Sequence, residues 1–332
     1  MKIKFIRWLF VIMMLGGVVL NILAYRHAYA MMHFTAGNPR TNEPEKLSVG
    51  QRIKALLWGV NIPRPETTAL PAVLGPATQS LQLECINGME LGAWYCAGPS
   101  QSPLVILFHG YGCEKSSLIP EAKAFLTMGF SVLLVDFRGS GDSSGSYTTI
   151  GFTEAKDVAT AVHHARMRLP QCKLILYGGS MGAAAILRAV ASCDIHPDAI
   201  IVESVFDKML NTVRHRFAAM RVPAFPSAEL LVFWGGYQAR FNGFAHNPSR
   251  YAASVECPIL FLHGANDPRV KVEEARRVYD AVPGVKYFRE FPGVGHEAAV
   301  VRFPNEWKRS VGQFLGKVAD NRMPAAPNHT VQ

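Results

Sequence analysis

The sequence lacks the patterns by which proteins usually hold metals, nucleotides and nucleic acids. Six cysteines are scattered over positions 85, 96, 113, 172, 193 and 257. None of them forms a C-x-x-C pair, which argues against a zinc site or a thiol redox motif. Charged residues make up only 18% of the 332 residues, and the net charge of +9 is not gathered in a Lys/Arg block. We therefore expect no cofactor, no metal and no nucleic-acid partner, whereas a surface that tolerates anionic lipid is compatible with this charge.

Internal repeats, low-complexity tracts and a P-loop are missing as well. The segment Asp136–Gly141 reads D-F-R-G-S-G and superficially resembles a phosphate-cradling loop. It lacks the Lys-Ser/Thr ending that a P-loop requires. A structural turn is the better interpretation of this segment.

The chain does have a long apolar segment near its N-terminus. Lys2, Lys4 and Arg7 precede the apolar run Trp8–Ala24, which approaches the roughly 20 residues that span a bilayer. The positive residues predict that the N-terminus stays inside and that the rest of the chain lies outside the cytoplasm. The triplet Ala28–Ala30 has the small-x-small form of a cleavage site, so secretion after signal cleavage is the alternative. The length of the run favours a retained anchor.

The remaining chain divides by composition into an arm, a main domain and a tail. We assign residues 1–30 to the anchor or signal peptide, 31–77 to a connecting arm with a short amphipathic helix at Leu47–Trp58, 78–320 to the main domain, and 321–332 to a flexible tail. Prolines make the later part of the arm extended, because each proline biases the residue before it away from the helix.

Strands and helices alternate along the main domain. A hairpin is predicted around Asn87-Gly88. Nearly continuous apolar strands follow at 104–109, 131–136, 173–178, 199–203, 258–263 and 286–291, with helices at 116–128, 153–169, 180–193, 272–281 and 303–317. Such strands indicate a sheet covered on both faces, and the alternation indicates an α/β fold of parallel strands with right-handed crossovers.

The stretch 205–256 departs from this alternation and is rich in aromatic and basic residues. Insertions between core strands, above the carboxyl ends of those strands, commonly build substrate specificity. We interpret the stretch as a small helical cap. An ordinary helical connection packed on the sheet is the alternative.

A candidate nucleophile stands between a predicted strand and a predicted helix. Residues 173–182 read K-L-I-L-Y-G-G-S-M-G, so Ser180 has glycines two positions before and two positions after it. This G-x-S-x-G pattern is typical of a sharp turn that exposes a serine hydroxyl. Glycines at those positions let backbone segments approach where a Cβ would clash.

A serine nucleophile needs a base, and the base needs an orienting acid. His296 follows the last strand in a glycine-containing loop and is the best base, although the sequence alone does not exclude His196, His215 or His246. Asp267, after the strand at 258–263, is the best acid. Asp207 is the alternative acid, since it follows the preceding strand.

The oxyanion of an acyl-transfer reaction needs two preorganised backbone N–H donors. We expect one from Met181, the residue after the nucleophile. The other is expected from Tyr111 in the loop after the strand at 104–109, with Gly112 as second choice.

Together these motifs resemble the α/β-hydrolase superfamily, and more narrowly its serine-aminopeptidase-like and acyl-hydrolase branch with membrane-anchored members. The matching segments are His109–Gly112, Asp136–Gly141, Gly178–Gly182, His263-Gly264 with Asp267, and Gly295-His296. The resemblance covers roughly residues 80–317. It implies a mostly parallel eight-stranded sheet with an antiparallel second strand. It does not identify a substrate, because that branch includes esterases, thioesterases, lipases and peptidases.

Three functions remain open at this point. The first is a membrane-tethered serine hydrolase that cleaves esters or thioesters of apolar acyl groups, with a small-molecule or lipid substrate. The second is a serine peptidase resembling an aminopeptidase, in which Glu203 or Glu114 would bind the substrate amine. The third is a non-catalytic binding protein on the same scaffold; the filled triad positions argue against it.

Overall fold

The computed structural model describes residues 2–37, 39–86 and 88–320. The turn residue Asn87 and the predicted tail at 321–332 lie outside the described residues. The chain divides into two compact units. The first unit comprises Met1–Pro63 and Met209–His246, and the second comprises Arg64–Lys208 and Asn247–Gln332.

The second unit contains a sheet of eight strands within the described residues. The strands are β1 (Gln79–Glu84), β2 (Glu90–Cys96), β3 (Leu104–Phe108), β4 (Ser131–Val135), β5 (Leu174–Gly179), β6 (Ala199–Glu203), β7 (Ile259–Gly264) and β8 (Lys286–Phe291). Their order across the sheet is β1-β2-β4-β3-β5-β6-β7-β8. Strand β2 is antiparallel to β1 and to β4, and every other neighbouring pair is parallel. The predicted mostly parallel sheet with an antiparallel second strand is confirmed.

Helices connect the strands and build the first unit. They are α1 (Lys2–Met32), α2 (Val49–Trp58), α3 (Ile119–Thr127), α4 (Ala155–Arg168), α5 (Met181–Ser192), α6 (Met209–Ala219), α7 (Ser227–Gln238), α8 (Pro248–Ala252), α9 (Val272–Ala281), α10 (Ala299–Arg302) and α11 (Pro304–Ala319). Short 3-10 turns occur at Pro44–Lys46, Pro71–Leu74, Lys115–Leu118 and Gly243–Ala245.

The central strands are apolar along their whole length because helices cover both faces of the sheet. In β3 every side chain is buried, and the side chains alternate between two apolar clusters. Leu104, Ile106 and Phe108 pack with α4, α5 and α9, whereas Val105 and Leu107 pack with α3 and α11. A strand with one solvent-exposed face would show polar residues at every second position. The continuous apolar run therefore results from burial on both faces of the sheet.

The first unit is built around the second half of α1. Residues 3–19 of this helix are exposed, whereas Ala24, Ala28 and Met32 form a buried row four residues apart. That row packs on α7, whose Gly235 faces Ala28 and Met32 and lets the two helices approach closely. The long N-terminal helix therefore has an uncovered first half and a packed second half.

Polar contacts hold α1 and α7 together where the uncovered half of α1 ends. Trp234 donates its indole N–H to Asn21 Oδ1 at 3.2 Å, and Gln238 Nε2 donates to the carbonyl of Tyr25 at 2.8 Å. The rings of Tyr25 and Trp234 meet edge to face at 5.4 Å. Residues of the predicted cap and of the predicted anchor thus share one folded unit.

Candidate active site

Ser180 occupies the sharp turn between β5 and α5. Strand β5 ends at Gly179, α5 begins at Met181, and Ser180 between them has φ 51° and ψ −108°. This conformation is strained for a residue with a Cβ. It is kept by the surrounding contacts, among them a hydrogen bond from Ser180 N to the carbonyl of Glu203 at 2.8 Å.

The two glycines of the G-x-S-x-G pattern are required by close backbone contacts. A Cβ on Gly178 would lie 2.6 Å from the carbonyl carbon of Gly182, and a Cβ on Gly182 would lie 2.4 Å from the carbonyl oxygen of Phe108. Real Cβ atoms do not approach other heavy atoms so closely. Strand β5, helix α5 and strand β3 can therefore meet only if both positions lack a side chain.

The structure brings Ser180, His296 and Asp267 together. Ser180 Oγ lies 3.1 Å from His296 Nε2, and His296 Nδ1 lies 2.7 Å from Asp267 Oδ2. Asp267 follows β7 and His296 follows β8, so the three side chains come from loops at the carboxyl ends of three strands. The imidazole is 16% exposed and the carboxylate is fully buried. This geometry permits proton transfer between the hydroxyl and Nε2.

Asp267 is held as a carboxylate and thereby sets the tautomer of His296. Burial alone would raise the pKa of Asp267, but the hydrogen bond and charge of His296, with the N–H groups of Val270 and Arg269, lower that pKa below its usual value. The two N–H groups donate to Oδ1 at 3.0 Å and 2.8 Å. A carboxylate only accepts hydrogen bonds, so the proton of the neutral imidazole is on Nδ1 and Nε2 is left to accept from Ser180.

The alternative acid has a different partner. Asp207 is buried after β6 and accepts a hydrogen bond from Arg277 Nε at 2.8 Å. Among the alternative bases, His196 is exposed with Nε2 at 3.1 Å from Asp194, and the buried ring of His246 packs on Phe241. The contact with the Ser180 hydroxyl is made by His296.

The N–H groups of Met181 and Tyr111 remain predicted oxyanion donors, and the positions of both residues are compatible with that role. Met181 is the first residue of α5, so its N–H belongs to the helix turn that has no intrahelical acceptor. Gly110, directly before Tyr111, lies beside the nucleophile: a Cβ on Gly110 would be 3.9 Å from Ser180 Cβ. Tyr111 therefore directly follows a residue that lies near the serine.

The sequence alone does not mark a buried carboxylate, Glu154, that is linked to the first residue of α5. Glu154 accepts hydrogen bonds from the hydroxyls of Thr148 and Thr149, both at 2.6 Å, and from the N–H of Gly151 at 3.0 Å. Thr148 Oγ1 also lies 3.5 Å from the sulfur of Met181. No local motif marks Glu154, because its partners precede it in an irregular loop, and only the folded loop reveals the role of Glu154 in positioning.

A second buried cluster lies under the serine. Tyr177 donates its hydroxyl hydrogen to Glu203 Oε2 at 2.6 Å, and Ala299 N donates to Glu203 Oε1 at 2.6 Å. Burial raises the pKa of Glu203. Burial, and then the charge of Glu203, raise the pKa of Glu121 to about 8. Glu203 thus ties β6 to the segment that follows His296.

The two carboxylates considered for binding a substrate amine are both used inside the fold. Glu203 is buried and bonded to Tyr177 and Ala299. Glu114 accepts from the N–H of Ser116 at 2.6 Å and from the hydroxyl of the same residue. Neither contact points to recognition of a free amine.

The Asp136–Gly141 segment is a structural turn, as expected. Asp136 accepts hydrogen bonds from Lys115 Nζ at 2.6 Å and from Asp142 N at 2.9 Å. A Cβ on Gly141 would lie 2.1 Å from the carboxylate of Asp136, so the loop folds onto its own buried anion. Elsewhere in residues 2–37, 39–86 and 88–320, no group of three or more His, Cys, Asp or Glu side chains is arranged to hold a metal ion.

Comparison with known proteins agrees with this architecture. The family model described as serine aminopeptidase, S33, matches residues 99–250. The esterase Pf2001 of Pyrococcus furiosus superposes with a TM-score of 0.65 at 25% identity, over 77% of this chain and 97% of the esterase. The matched family model and the solved esterase support the α/β-hydrolase superfamily for this fold. The chain is also similar to the uncharacterised protein YqkD of Bacillus subtilis, at 28% identity over 70% of this chain and 78% of YqkD.

A mammalian relative is named for lipid hydrolysis. The chain is 24% identical over 243 residues to the rat protein named lysophosphatidylserine lipase ABHD12. The match covers 69% of this chain and 60% of ABHD12, so the chain spans less than two thirds of that relative's length. Esterase and lipase relatives support hydrolase activity for this chain.

Proposed function

We propose that the protein is a membrane-anchored serine hydrolase that cleaves carboxylic esters or thioesters of apolar acyl groups. The observation that carries the proposal is the continuous hydrogen-bonded line from Ser180 Oγ through His296 to Asp267, at 3.1 Å and 2.7 Å. A nucleophile within reach of a base, and a base oriented by an acid, is the arrangement that acyl transfer requires.

In the proposed reaction Ser180 Oγ attacks the carbonyl carbon of the substrate. His296 Nε2 takes the hydroxyl proton and then delivers it to the leaving oxygen or sulfur as the bond to the acyl carbon breaks. Asp267 stabilises the imidazolium that forms in between. Water then attacks the acyl-enzyme with His296 again as base, which releases the carboxylic acid and restores Ser180.

Backbone N–H groups would stabilise the tetrahedral oxyanion. We propose the N–H of Met181 and the N–H of Tyr111 as the two donors. Both follow glycine-rich turns at the carboxyl edge of the sheet, where the nucleophile is presented. No metal or cofactor takes part in the proposed steps.

The membrane part of the proposal rests on α1. This helix is long and apolar enough to cross a bilayer, although a signal sequence would satisfy the same criteria of length and composition. The buried row of Ala24, Ala28 and Met32 favours a retained anchor, because cleavage after Ala30 would remove two members of that row from α7. We propose that the N-terminus is cytoplasmic and that the catalytic unit lies across the membrane.

A peptidase is the second candidate, favoured by the description of the family model that matches residues 99–250. The internal hydrogen bonds of Glu203 and Glu114 weaken it, since an aminopeptidase needs a carboxylate that is available to the substrate amine. Similarity to a lysophosphatidylserine lipase supports an acyl ester of a lipid instead.

Active-site labelling tests the nucleophile. A fluorophosphonate probe should label the wild-type protein and leave Ser180→Ala unlabelled. Ser204→Ala is the matched control, because Ser204 follows the next strand and also has a positive φ of 51°. Equal labelling of wild type and Ser180→Ala would exclude Ser180 as the nucleophile.

A substrate panel tests the leaving group and the acyl chain. p-Nitrophenyl esters of increasing acyl length, matching thioesters and aminoacyl amides should be compared on the full chain in detergent. We expect turnover of esters and thioesters that increases with acyl length. Preference for aminoacyl amides would instead identify a peptidase.

Fractionation tests the anchor. The protein should remain in the membrane pellet after alkaline carbonate washing and should retain residues 1–30, because a span of about 20 apolar residues inserts almost irreversibly. A mature protein that starts at Met31 would identify a secreted enzyme.

A further inference from the structure

Helix α2 exposes a row of apolar side chains. Val49, Ile53 and Leu57 follow one another at intervals of four residues and are 71%, 53% and 47% exposed. At about 100° per residue, the three positions share a face about 80° wide. Large aliphatic side chains in one row are costly to leave in water, so this apolar row of α2 requires a covering surface.

The other side of α2 is joined to α1. Ala55 is buried, and the carbonyl of Leu56 accepts a hydrogen bond from His27 Nε2 at 2.9 Å. Gly59 ends the helix with φ 94°, and a Cβ on Gly59 would lie 3.9 Å from the Cβ of Ala30. The C-terminal end of α2 is therefore joined to α1, and the apolar row lies on the outside.

Basic residues flank the apolar row. On the helical wheel Arg52 lies on one side of the row and Lys54 on the other, each about 100° from its centre. The ten residues of α2 include no Asp or Glu. An apolar face bordered by long cationic side chains is the arrangement of a helix that lies in a lipid interface, since the cations reach phosphates while the apolar side chains enter the acyl region.

The charge of the whole chain is concentrated in the unit that contains α2. The first unit has 12 Lys and Arg against 3 Glu, a balance of +9. The second unit has the remaining 22 basic and 22 acidic residues, which cancel. Lys2, Lys4 and Arg7 precede the proposed span, so the part of the first unit on the same side as α2 has 9 Lys and Arg against 3 Glu, a balance of +6. An anionic membrane surface attracts that part of the unit.

The length of α1 places α2 at the correct depth. The apolar run ends at Ala24, and His27 lies about 5 Å beyond it along the helix. Headgroups on each side of the hydrocarbon core occupy a layer of similar thickness. The hydrogen bond from His27 to Leu56 therefore holds the end of α2 within the headgroup layer.

We propose that α2 lies in the headgroup layer of an anionic membrane, with Val49, Ile53 and Leu57 buried among the acyl chains. The proposal rests on the membrane anchor proposed above. It adds a second contact, which attaches the first unit to the lipid surface on which the acyl substrates would be found.

Depth-dependent quenching tests the position of the apolar row. The full chain is reconstituted in vesicles of phosphatidylcholine with about 30% phosphatidylglycerol, with or without brominated acyl chains. The Ile53→Trp variant adds one indole to the apolar row. Subtracting the fluorescence emission of the wild type from that of the variant gives the emission of this indole alone. We expect this added emission to be quenched about twofold or more by the bromines, as for an indole at the acyl boundary.

Two indoles calibrate the measurement. The emission lost in Trp8→Phe reports α1 and should be quenched if the anchor spans the bilayer. Met167→Trp, at a residue 79% exposed in the second unit, is the matched control for an exposed apolar position and should not be quenched. Circular dichroism confirms that each variant is folded.

Charge is tested by reversing one lysine. Lys54→Glu should reduce quenching of the Ile53→Trp indole in vesicles with phosphatidylglycerol, and Lys123→Glu, at an exposed lysine of the second unit, should not. If Trp8 is quenched and the indole at position 53 is not, the anchor holds and the proposal for α2 is wrong. A dimer cross-linked through position 53, with no quenching, would assign the row to a second copy and would also overturn it. If Trp8 is not quenched either, the anchor itself fails.

Discussion

At the scale of single residues, the site depends on a few side chains whose geometry leaves little freedom. The hydroxyl of Ser180 can transfer its proton only to an imidazole nitrogen that carries none, and the bond from His296 Nδ1 to Asp267 ensures this. The positive φ of Ser180 is maintained by glycines that touch neighbouring backbone. Both features can be tested by changes of one or a few atoms.

Replacing Asp267 should lower kcat far more than replacing Asp207. Asp267→Asn favours the wrong tautomer of His296, and kcat for a soluble ester should fall by about 10⁴. Asp207→Asn should leave kcat within tenfold, because Asp207 is bonded to Arg277 rather than to the base. Steady-state kinetics of both variants, with unfolding curves to show that they are folded, make the comparison. The opposite ranking would assign the acid to the loop after β6.

The glycines on either side of Ser180 should differ sharply in their tolerance of a methyl group. Gly182→Ala would place a Cβ 2.4 Å from the carbonyl oxygen of Phe108, so we expect a loss of about 1–3 kcal/mol in the free energy of unfolding and a large loss of activity. Gly179→Ala is the matched control, since a Cβ there meets nothing within 4 Å. Urea unfolding measures both, and equal stability of the two variants would contradict the close-contact explanation.

At the scale of secondary structure elements, α1 has two physical roles. Its first half is uncovered and apolar, whereas its second half packs on α7 and donates one hydrogen bond, from His27, to the carbonyl of Leu56 in α2. A run of apolar residues predicts a membrane-spanning helix, but it does not show which part of the helix faces lipid and which part faces protein. In the structure the protein-facing part begins at about Asn21, whose side chain accepts the Trp234 indole hydrogen.

Two N-terminal truncations should therefore behave differently. A chain of residues 21–332 keeps Ala24, Ala28 and Met32 against α7, and should be soluble and resist proteolysis in residues 209–246. A chain of residues 33–332 uncovers α7, and should aggregate or be cut within residues 209–246, because a large apolar helix face is then in water. Size-exclusion chromatography and limited proteolysis distinguish them. Identical behaviour of the two chains would show that the second half of α1 is dispensable.

At the scale of the whole molecule, the second unit is neutral and the first unit carries the entire net charge. The second unit also contains buried carboxyl groups near Ser180, and we expect these to make its stability depend on pH. Glu121, on α3, lies 3.4 Å from the hydroxyl of Tyr177 on β5, which is bonded in turn to Glu203 on β6.

Stability should fall as pH rises from about 5 to 8, and Glu121 should contribute to the fall. Its pKa is raised from 4.5 to about 8 by burial and by Glu203, so in this range the folded state keeps a proton that the unfolded state releases. Linkage then removes on the order of 1 kcal/mol per pH unit from the free energy of unfolding. Glu121→Gln is uncharged at every pH and should flatten this slope.

Urea unfolding at half-unit steps between pH 5 and pH 8 measures that effect. The difference in stability between Glu121→Gln and wild type should shift in favour of the variant as pH rises. Glu273→Gln, at an exposed glutamate on α9, is the control and should leave the slope unchanged. A constant difference between Glu121→Gln and wild type would show that Glu121 is ionised in both states.

The mostly parallel sheet, the turn at Ser180 and the order of the catalytic candidates along the chain could all be predicted from the sequence. Continuous apolar runs can be satisfied only by strands covered on both faces, and Gly178 and Gly182 mark a turn that no other residues allow. These features depend on neighbours in sequence, which is why local patterns predicted them.

Two features follow from three-dimensional packing alone: which aspartate lies beside His296, and which part of α1 packs on α7. Asp207 and Asp267 both follow core strands, and the choice depends on where β6, β7 and β8 bring three loops in space. The packing of Ala28 on Gly235 joins positions more than 200 residues apart. Distances of this kind are set by the folding of the whole chain, so no local pattern of residues encodes them.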